Sequence, residues 1–221
     1  MLQISTVEEK TFELLSSLML EPLLDSTILV GGTSLALQLG HRKSTDLDLF
    51  TTESIDIESV VASLNTNFNY HPQLITDSTT IGYISDIKID VIRHPYEWID
   101  SPVQQNGIRL ASLKDIAAMK LHAIANSGQR PKDFVDMAYL SQFFSYNQIK
   151  NFALKKYPIY DPIMFDRAII YFGDVNMEAI DKIKMINSKM NWSGIKKRII
   201  NMTDNPDKIY PTPPLKNSQQ K

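Results

Sequence analysis

The sequence predicts an α+β protein in which a mixed sheet flanked by helices is followed by a helical bundle. Three observations carry that reading. Short β-type runs alternate with helical stretches through roughly the first 110 residues, and from residue 112 only helical spacing remains. The charge changes at the same place: residues 1–110 carry 6 Lys and Arg against 15 Asp and Glu, whereas residues 111–221 carry 17 against 10. The expected organisation is a sheet domain over 1–110, a helical domain over 111–204 and a Pro-rich polar tail over 205–221.

The elements follow in order. "MLQISTVEEKTFELL" reads as an amphipathic helix with acidic residues, not a basic leader. "TILVGG" (27–32), "DLDLFT" (46–51) and "DIKIDVI" (86–92) are β-branched or alternating, while "TSLALQLG" and "IESVVASLNT" have helical spacing. "TTIGYIS" is placed to pair with "IKIDVI" as a hairpin. "SLKDIAAMKLHAIANSG" opens with Ser112 and Asp115 at capping-box spacing and closes on Gly128; "PKDFVDMAYLSQFF" follows with Pro131 at a first helical position. Further helices are expected at 147–156, 162–171 and 178–190, and an extended tail after them.

With 221 residues and 43% hydrophobic content the chain can bury an ordinary core. Cysteine is absent, which excludes disulfides, thiolate metal sites and cysteine nucleophiles. No apolar run approaches the roughly 18 residues of a membrane span, so a soluble, cytoplasmic protein without a membrane partner is expected. The basic half suits a polyanion, or is a solvated helix face.

The chemistry concentrates in a few residues. Alternate side chains of a strand share a face, so Asp46 and Asp48 point one way while Leu47 and Leu49 enter the core. Two such carboxylates suit a hard divalent ion such as Mg²⁺ or Mn²⁺, or simply face solvent on an edge strand. Asp90, on the polar side of "IKIDVI" with Lys88 and Ile92, is a candidate third carboxylate, and three aspartates can hold two metal ions about a nucleotide. Gly31 and Gly32 end a strand and enter a helix, where backbone N–H groups can approach phosphate; Thr33 and Ser34 add hydroxyls there. Neither GxGxxG nor GxxxxGK[ST] is present.

In the helical half, Lys120 falls within the apolar stripe of Ile116, Ala117, Leu121 and Ile124. Either its ammonium reaches nucleotide phosphates, or it snorkels or pairs with Asp133 or Asp136. "RPKDFVD" sets Asp133 and Asp136 on one helix edge, where they could position a substrate hydroxyl or orient Lys120. Arg42 and Lys43 balance carboxylates or touch phosphate. The four histidines show no metal-ligand spacing, and His122 reads as merely solvated.

"VGGTSLALQLGHRKSTDLDLF", then "KIDVI", then "SLKDIAAMKLHAIANSGQRPKDFVDM" together resemble the AbiEii/AbiGii toxin family of nucleotidyltransferases, within the DNA polymerase β-like superfamily, over roughly residues 28–140. The resemblance implies a minimal nucleotidyltransferase core before the helical bundle, Mg²⁺-dependent transfer from an NTP, and membership of a toxin–antitoxin or phage-defence pair. It puts the superfamily's glycine–serine motif on Gly32 and Thr33, a threonine replacing the usual serine. The metal-binding aspartates fall on Asp46 and Asp48, and the later motifs on Lys120, Lys132, Asp133 and Asp136. Asp90 matches the third metal ligand by strand context. The expected catalytic set is therefore Asp46, Asp48, Lys120 and Asp136, with Gly31, Gly32, Thr33, Ser34, Arg42, Lys132 and Asp133 on the nucleotide. The acceptor expected from the basic half is RNA, in particular a tRNA 3′ end, with Lys150, Lys155, Lys156, Lys182, Lys189, Lys196, Lys197 and Arg198 as phosphate contacts. A cognate antitoxin is the expected protein partner. The competing readings are a small-molecule nucleotidyltransferase of the antibiotic-modifying type and an inert binding module.

Overall fold

The structure is a computed structural model and describes residues 1–216. It divides into two compact units: residues 1–40 with 44–112, and residues 41–43 with 113 onward. The change of sequence character at 110–112 is thus where the chain passes from one unit to the other, apart from the three residues His41–Lys43.

The first unit is built on one seven-stranded mixed sheet. Its elements are α1 (Glu9–Leu18), β1 (Ile28–Leu29), α2 (Gly31–Leu39), β2 (Leu47–Thr51), α3 (Ile57–Phe68), β3 (Tyr70–Thr76), β4 (Thr79–Ile84), β5 (Ile87–Arg93), β6 (Val103–Gln105) and β7 (Ile108–Leu110). The spatial order is β3-β4-β5-β2-β1-β7-β6. The β4–β5 hairpin forms as expected, and β2 lies parallel to β5 and antiparallel to β1 at the centre. Leu47, Leu49, Ile89 and Val91 are fully buried, and this alternation fixes the register, because a slip of one residue would drive aspartates into the core. Gly40, in the left-handed region, caps α2.

The second unit holds α4 (Leu113–Asn126), α5 (Pro131–Leu140), α6 (Tyr146–Lys156), α7 (Pro162–Ile169) and α8 (Trp192–Asp204). Helix α4 packs against α5, α6 and α7, and α5 against α8. Pro131 occupies the first turn of α5, and Ser145 with Gln148 closes a complete capping box on α6.

Two expectations fail here. Residues 178–190 form no α-helix beyond a short 3-10 turn at Met177–Ala179. That stretch instead gives its backbone to residues 41–43: the Lys43 N–H donates to the Lys184 carbonyl at 2.8 Å, the Ile186 N–H to the His41 carbonyl at 2.9 Å, and Arg42 bridges Met185. Tertiary pairing overrides helical spacing. The helix of this region is α8, begun by an Asn191 cap and unforeseen in the sequence. The Pro-rich segment, as far as residue 216, belongs to the second unit: Leu215 is buried and the Tyr210 N–H bonds the Ser141 carbonyl at 2.9 Å. The tail's last five residues, 217–221, lie outside the described residues.

Candidate active site

The strand pair β2–β5 and the start of α2 carry the candidate site residues of the first unit. The Val30 N–H donates to the Asp48 carbonyl at 2.9 Å, which carries the β1–β2 pairing up to the glycines. Gly31 then turns with φ +67°, and a Cβ built on it would overlap the Asp48 carboxylate. The position needs glycine twice, for the backbone and for the close approach. Its consequence is that the N-terminus of α2, with its positive partial charge, opens beside a carboxylate. Gly31→Ala is expected to cost about 1 kcal/mol or more of stability, because a β-carbon at positive φ is strained and must displace Asp48. Urea denaturation beside a transfer assay checks it; both should fall.

Asp46 stands one residue before β2, half-buried like Asp48, and takes a hydrogen bond from the Thr45 hydroxyl at 3.2 Å. Thr33 and Ser34 are fully buried. The Thr33 hydroxyl donates to the Asp46 carbonyl and meets the Ser44 hydroxyl at 2.9 Å, and Ser34 Oγ accepts from Gln38 at 3.2 Å. These hydroxyls therefore fasten α2 and the approach to Asp46 instead of reaching out to phosphate, as the sequence led us to expect. Register puts Asp90 directly opposite Asp48. Asp90 carries a partner that the sequence reading passed over: Lys88 Nζ lies 2.7 Å from Oδ1 and 2.5 Å from Oδ2. The signal was available, since two residues apart on a strand means one face.

In the second unit the later motif residues assemble into a buried charge network. Asp136 is wholly buried; its carboxylate accepts from Arg42 Nε at 2.6 Å and Nη2 at 2.8 Å, from His41 Nε2 at 2.8 Å, and pairs with Lys120 at 2.7 Å. Lys120 also pairs with Asp133 Oδ1 at 2.7 Å, and Arg130 closes on Asp133 Oδ2 at 2.9 Å. Burial alone would raise the Asp136 pKa, but Arg42 and Lys120 outweigh it and hold the carboxyl well below its ordinary value. Burial would likewise discharge Lys120, yet Asp133 and Asp136 keep its pKa above the ordinary value. His41 goes the other way: burial holds it below its usual value, and its Nδ1 is buried without a hydrogen-bond partner. Asp136, expected in the catalytic set, has no exposed surface, and its carboxylate is taken up by Arg42, His41 and Lys120. Arg42 balances a carboxylate, and the carboxylate is Asp136. Lys132 is half-buried on the first turn of α5.

Three other expectations change. His122 is stacked on Tyr157, ring centres 3.9 Å apart, and burial lowers its pKa; it is not merely solvated. Lys156 is buried in an ion pair with Asp115 at 3.0 Å, both side chains fully covered, and is unavailable to RNA. Arg198 donates to Ser141 Oγ and the Thr212 carbonyl, both at 3.0 Å, which staples α8 to the Pro-rich segment. A cleft of about 310 Å³ in the second unit is lined by Phe172, Ser193, Lys196, Lys197, Ile200 and Asn201.

The family model of the nucleotidyl transferase AbiEii toxin, a type IV toxin–antitoxin system, matches residues 13–161. The chain belongs to the AbiEii nucleotidyl transferase toxin family. It is 31% identical over 162 residues to the uncharacterized protein aq_aa25 of Aquifex aeolicus (strain VF5), covering 71% of this chain and 78% of that one. Its fold is similar to JHP933 from Helicobacter pylori, with a TM-score of 0.58 at 18% identity over 91% of this chain and 93% of that one. A second H. pylori structure matches with a TM-score of 0.55 at 19% identity, over 90% and 96%. As an AbiEii member the protein is a nucleotidyltransferase with an NTP as donor, in a toxin–antitoxin setting. Among the described residues no helix is long and apolar enough to cross a membrane.

Proposed function

We propose that the protein moves a nucleotidyl group from an NTP to a hydroxyl of RNA, as the toxin of a toxin–antitoxin pair, with the 3′ end of tRNA as the acceptor to test first. The acceptor oxygen bonds to the α-phosphorus, the bond to the β-phosphate oxygen breaks, pyrophosphate leaves, and the hydroxyl proton passes to solvent. The observation that carries the reading is the approach of Gly31 to Asp48, which sets phosphate-binding N–H groups and a carboxylate side by side. Gly31 and Gly32 offer their backbone to the triphosphate, while Thr33 holds the backbone of Asp46 in place.

Among the described residues no three His, Asp or Glu side chains converge on a metal-binding geometry. Asp46 and Asp48 are nevertheless the donor set that suits Mg²⁺ or Mn²⁺, which is characteristically held by one or two carboxylates together with substrate phosphates and water. The ion would be held by these two residues and would supply charge neutralisation to the triphosphate. Lys120, Asp133, Asp136 and Arg42 we read as the charged frame of the second unit, and Lys132 with Arg130 as its cations nearest solvent.

The cleft on α8 supports an RNA acceptor. Lys196 and Lys197 give it charge, and Phe172, 6.0 Å from the Lys196 ammonium, gives it an aromatic wall of the kind on which unpaired bases stack. Incubation with each α-³²P NTP and Mg²⁺ should label RNA of tRNA size; label in a small-molecule panel, or none, overturns the acceptor. Lys196→Ala with Lys197→Ala should weaken RNA binding across sequences and flatten the slope of log K against log[salt] by roughly 0.7 per lost contact. NTP affinity should stay within twofold. An RNA affinity independent of salt removes the polyanion reading.

A further inference from the structure

Helix α8 has two unlike faces. Ile195, Ile199 and Met202 are fully buried, whereas Ser193, Lys196, Lys197, Ile200 and Asn201, at helical spacing, line the cleft together with Phe172. The "KKR" run at 196–198 is thereby divided. Arg198 is drawn to Ser141 and the Thr212 carbonyl, while Lys196 and Lys197 border the cleft, and no carboxylate stands among its lining residues.

Phe172 is a braced ring. Its centre lies 5.4 Å from that of the fully buried Phe134 and 5.9 Å from that of Trp192, whose plane is nearly perpendicular at 88°. Phe134 and Trp192 meet edge to face as well, at 5.9 Å. A ring held by two others loses little freedom when a base is laid on it. The Lys196 ammonium stands 6.0 Å from the Phe172 ring centre, which puts a cation beside the ring, where a nucleotide carries phosphate beside its base. Among the described residues the Ser193 hydroxyl and the Asn201 side-chain amide have no hydrogen-bond partner; Tyr210 and Asn205 engage only the Asn201 backbone carbonyl. A side-chain amide offers a donor and an acceptor side by side, which is what the edge of an unpaired base can meet.

We propose that the α8 cleft is the pocket of one unpaired nucleotide of the acceptor RNA, with its base on Phe172, the base edge on Asn201 and Ser193, and its phosphates on Lys196 and Lys197. The inference rests on the reading that the acceptor is RNA, and it adds selection to attraction. The lysines hold any strand, whereas Phe172 and Asn201 require a base that is free of its neighbours and distinguish one base from another. A cleft of about 310 Å³ is at the small end of ligand sites and takes a single nucleotide, and a base stacked inside a duplex has no open ring face to give it.

The test reads binding, not turnover. Fluorescence anisotropy on the full chain compares short labelled probes of one length: single-stranded homopolymers of A, C and U, the same ribose-phosphate backbone without bases, and a blunt RNA duplex. The wild type should bind the best homopolymer about tenfold more tightly than the abasic strand or the duplex, and should rank the three homopolymers. Phe172→Leu should lose the advantage over the abasic strand while Phe172→Tyr keeps it, which separates lost stacking from a disturbed fold. Asn201→Ala should level the ranking and keep the advantage. Lys196→Ala with Lys197→Ala should weaken every probe, the abasic one included, and keep the ranking. Abasic and base-bearing strands of equal affinity in the wild type, a Phe172→Leu protein that keeps the advantage, or a ranking untouched by Asn201→Ala would each overturn the proposal while leaving a protein that binds RNA. Failure of the underlying reading has its own signature: no probe binds, or binding is indifferent to salt, and the pocket falls with it.

Discussion

Asp48→Asn is expected to abolish nucleotidyl transfer while the protein stays folded. The side chain is half-exposed between the fully buried Leu47 and Leu49, so the change removes a charge and no core volume. The strand keeps its register to β1 and β5, which the leucines and their partners Ile89 and Val91 determine. A metal-borne contribution of several kcal/mol corresponds to a loss of roughly 10³ or more in rate, at about 1.4 kcal/mol per tenfold. The stability change should be small beside the loss of rate, because asparagine keeps the side chain's volume. Removing a like charge from beside Asp46 could even stabilise the metal-free protein. Asp46→Asn should behave alike, with the Thr33 bond to its carbonyl intact. Single-turnover transfer at saturating Mg²⁺ and a urea curve on each variant decide the matter. Full turnover in both takes the two aspartates out of the reaction.

How much of this could be read from the sequence depended on whether the information was local. Alternation in "DLDLF" and "IKIDVI" gave the strands at the sheet's centre because one of their faces is dry, and dryness imposes a period of two. Gly31 could be read as a turn before a helix, although its crowding against Asp48 is a tertiary fact. Lys88 was legible and went unread. The Arg42–Asp136 pair was not legible at all, since its partners stand 94 residues apart and nothing near either one encodes the other. Residues 178–190 have the spacing of a helix, but their backbone is taken by residues 41–43, and no periodicity records that competition. The basic half was correct as composition and too generous as a binding surface. Lys156 and Arg198 count as positive charge in the sequence while the fold spends them internally.

The largest loss of stability from one substitution is expected for Asp136→Ala. The carboxylate is the common partner of Arg42, 1% exposed, and Lys120, 9% exposed in its side chain, and it accepts from His41 as well. Its removal takes the shared carboxylate from between two buried cations, Arg42 and a Lys120 that keeps Asp133, and breaking a buried pair in this way costs about 3–5 kcal/mol. Asp136→Asn keeps the volume but points an amide NH₂ at donors, so it should recover only part of that loss. The network also sets a pH profile in two steps. His41 has its folded pKa below the unfolded value of about 6.5, so the unfolded chain takes up the proton first, and stability begins to fall as pH drops below that point. Asp136, held well below its unfolded value of about 3.9, contributes fully above that value and loses its contribution as pH falls through the folded one. His41→Phe, which keeps a ring against Tyr139, should remove the first step and leave the second. Asp136→Asn should remove the second. Urea denaturation at pH 7, 5.5, 4 and 2 resolves both, the first step between pH 7 and 4 and the second below pH 4. An Asp136→Ala protein within about 1 kcal/mol of the wild type at pH 7 would mean that Arg42 and Lys120 find water once the carboxylate is gone, and that this network is not the frame of the second unit.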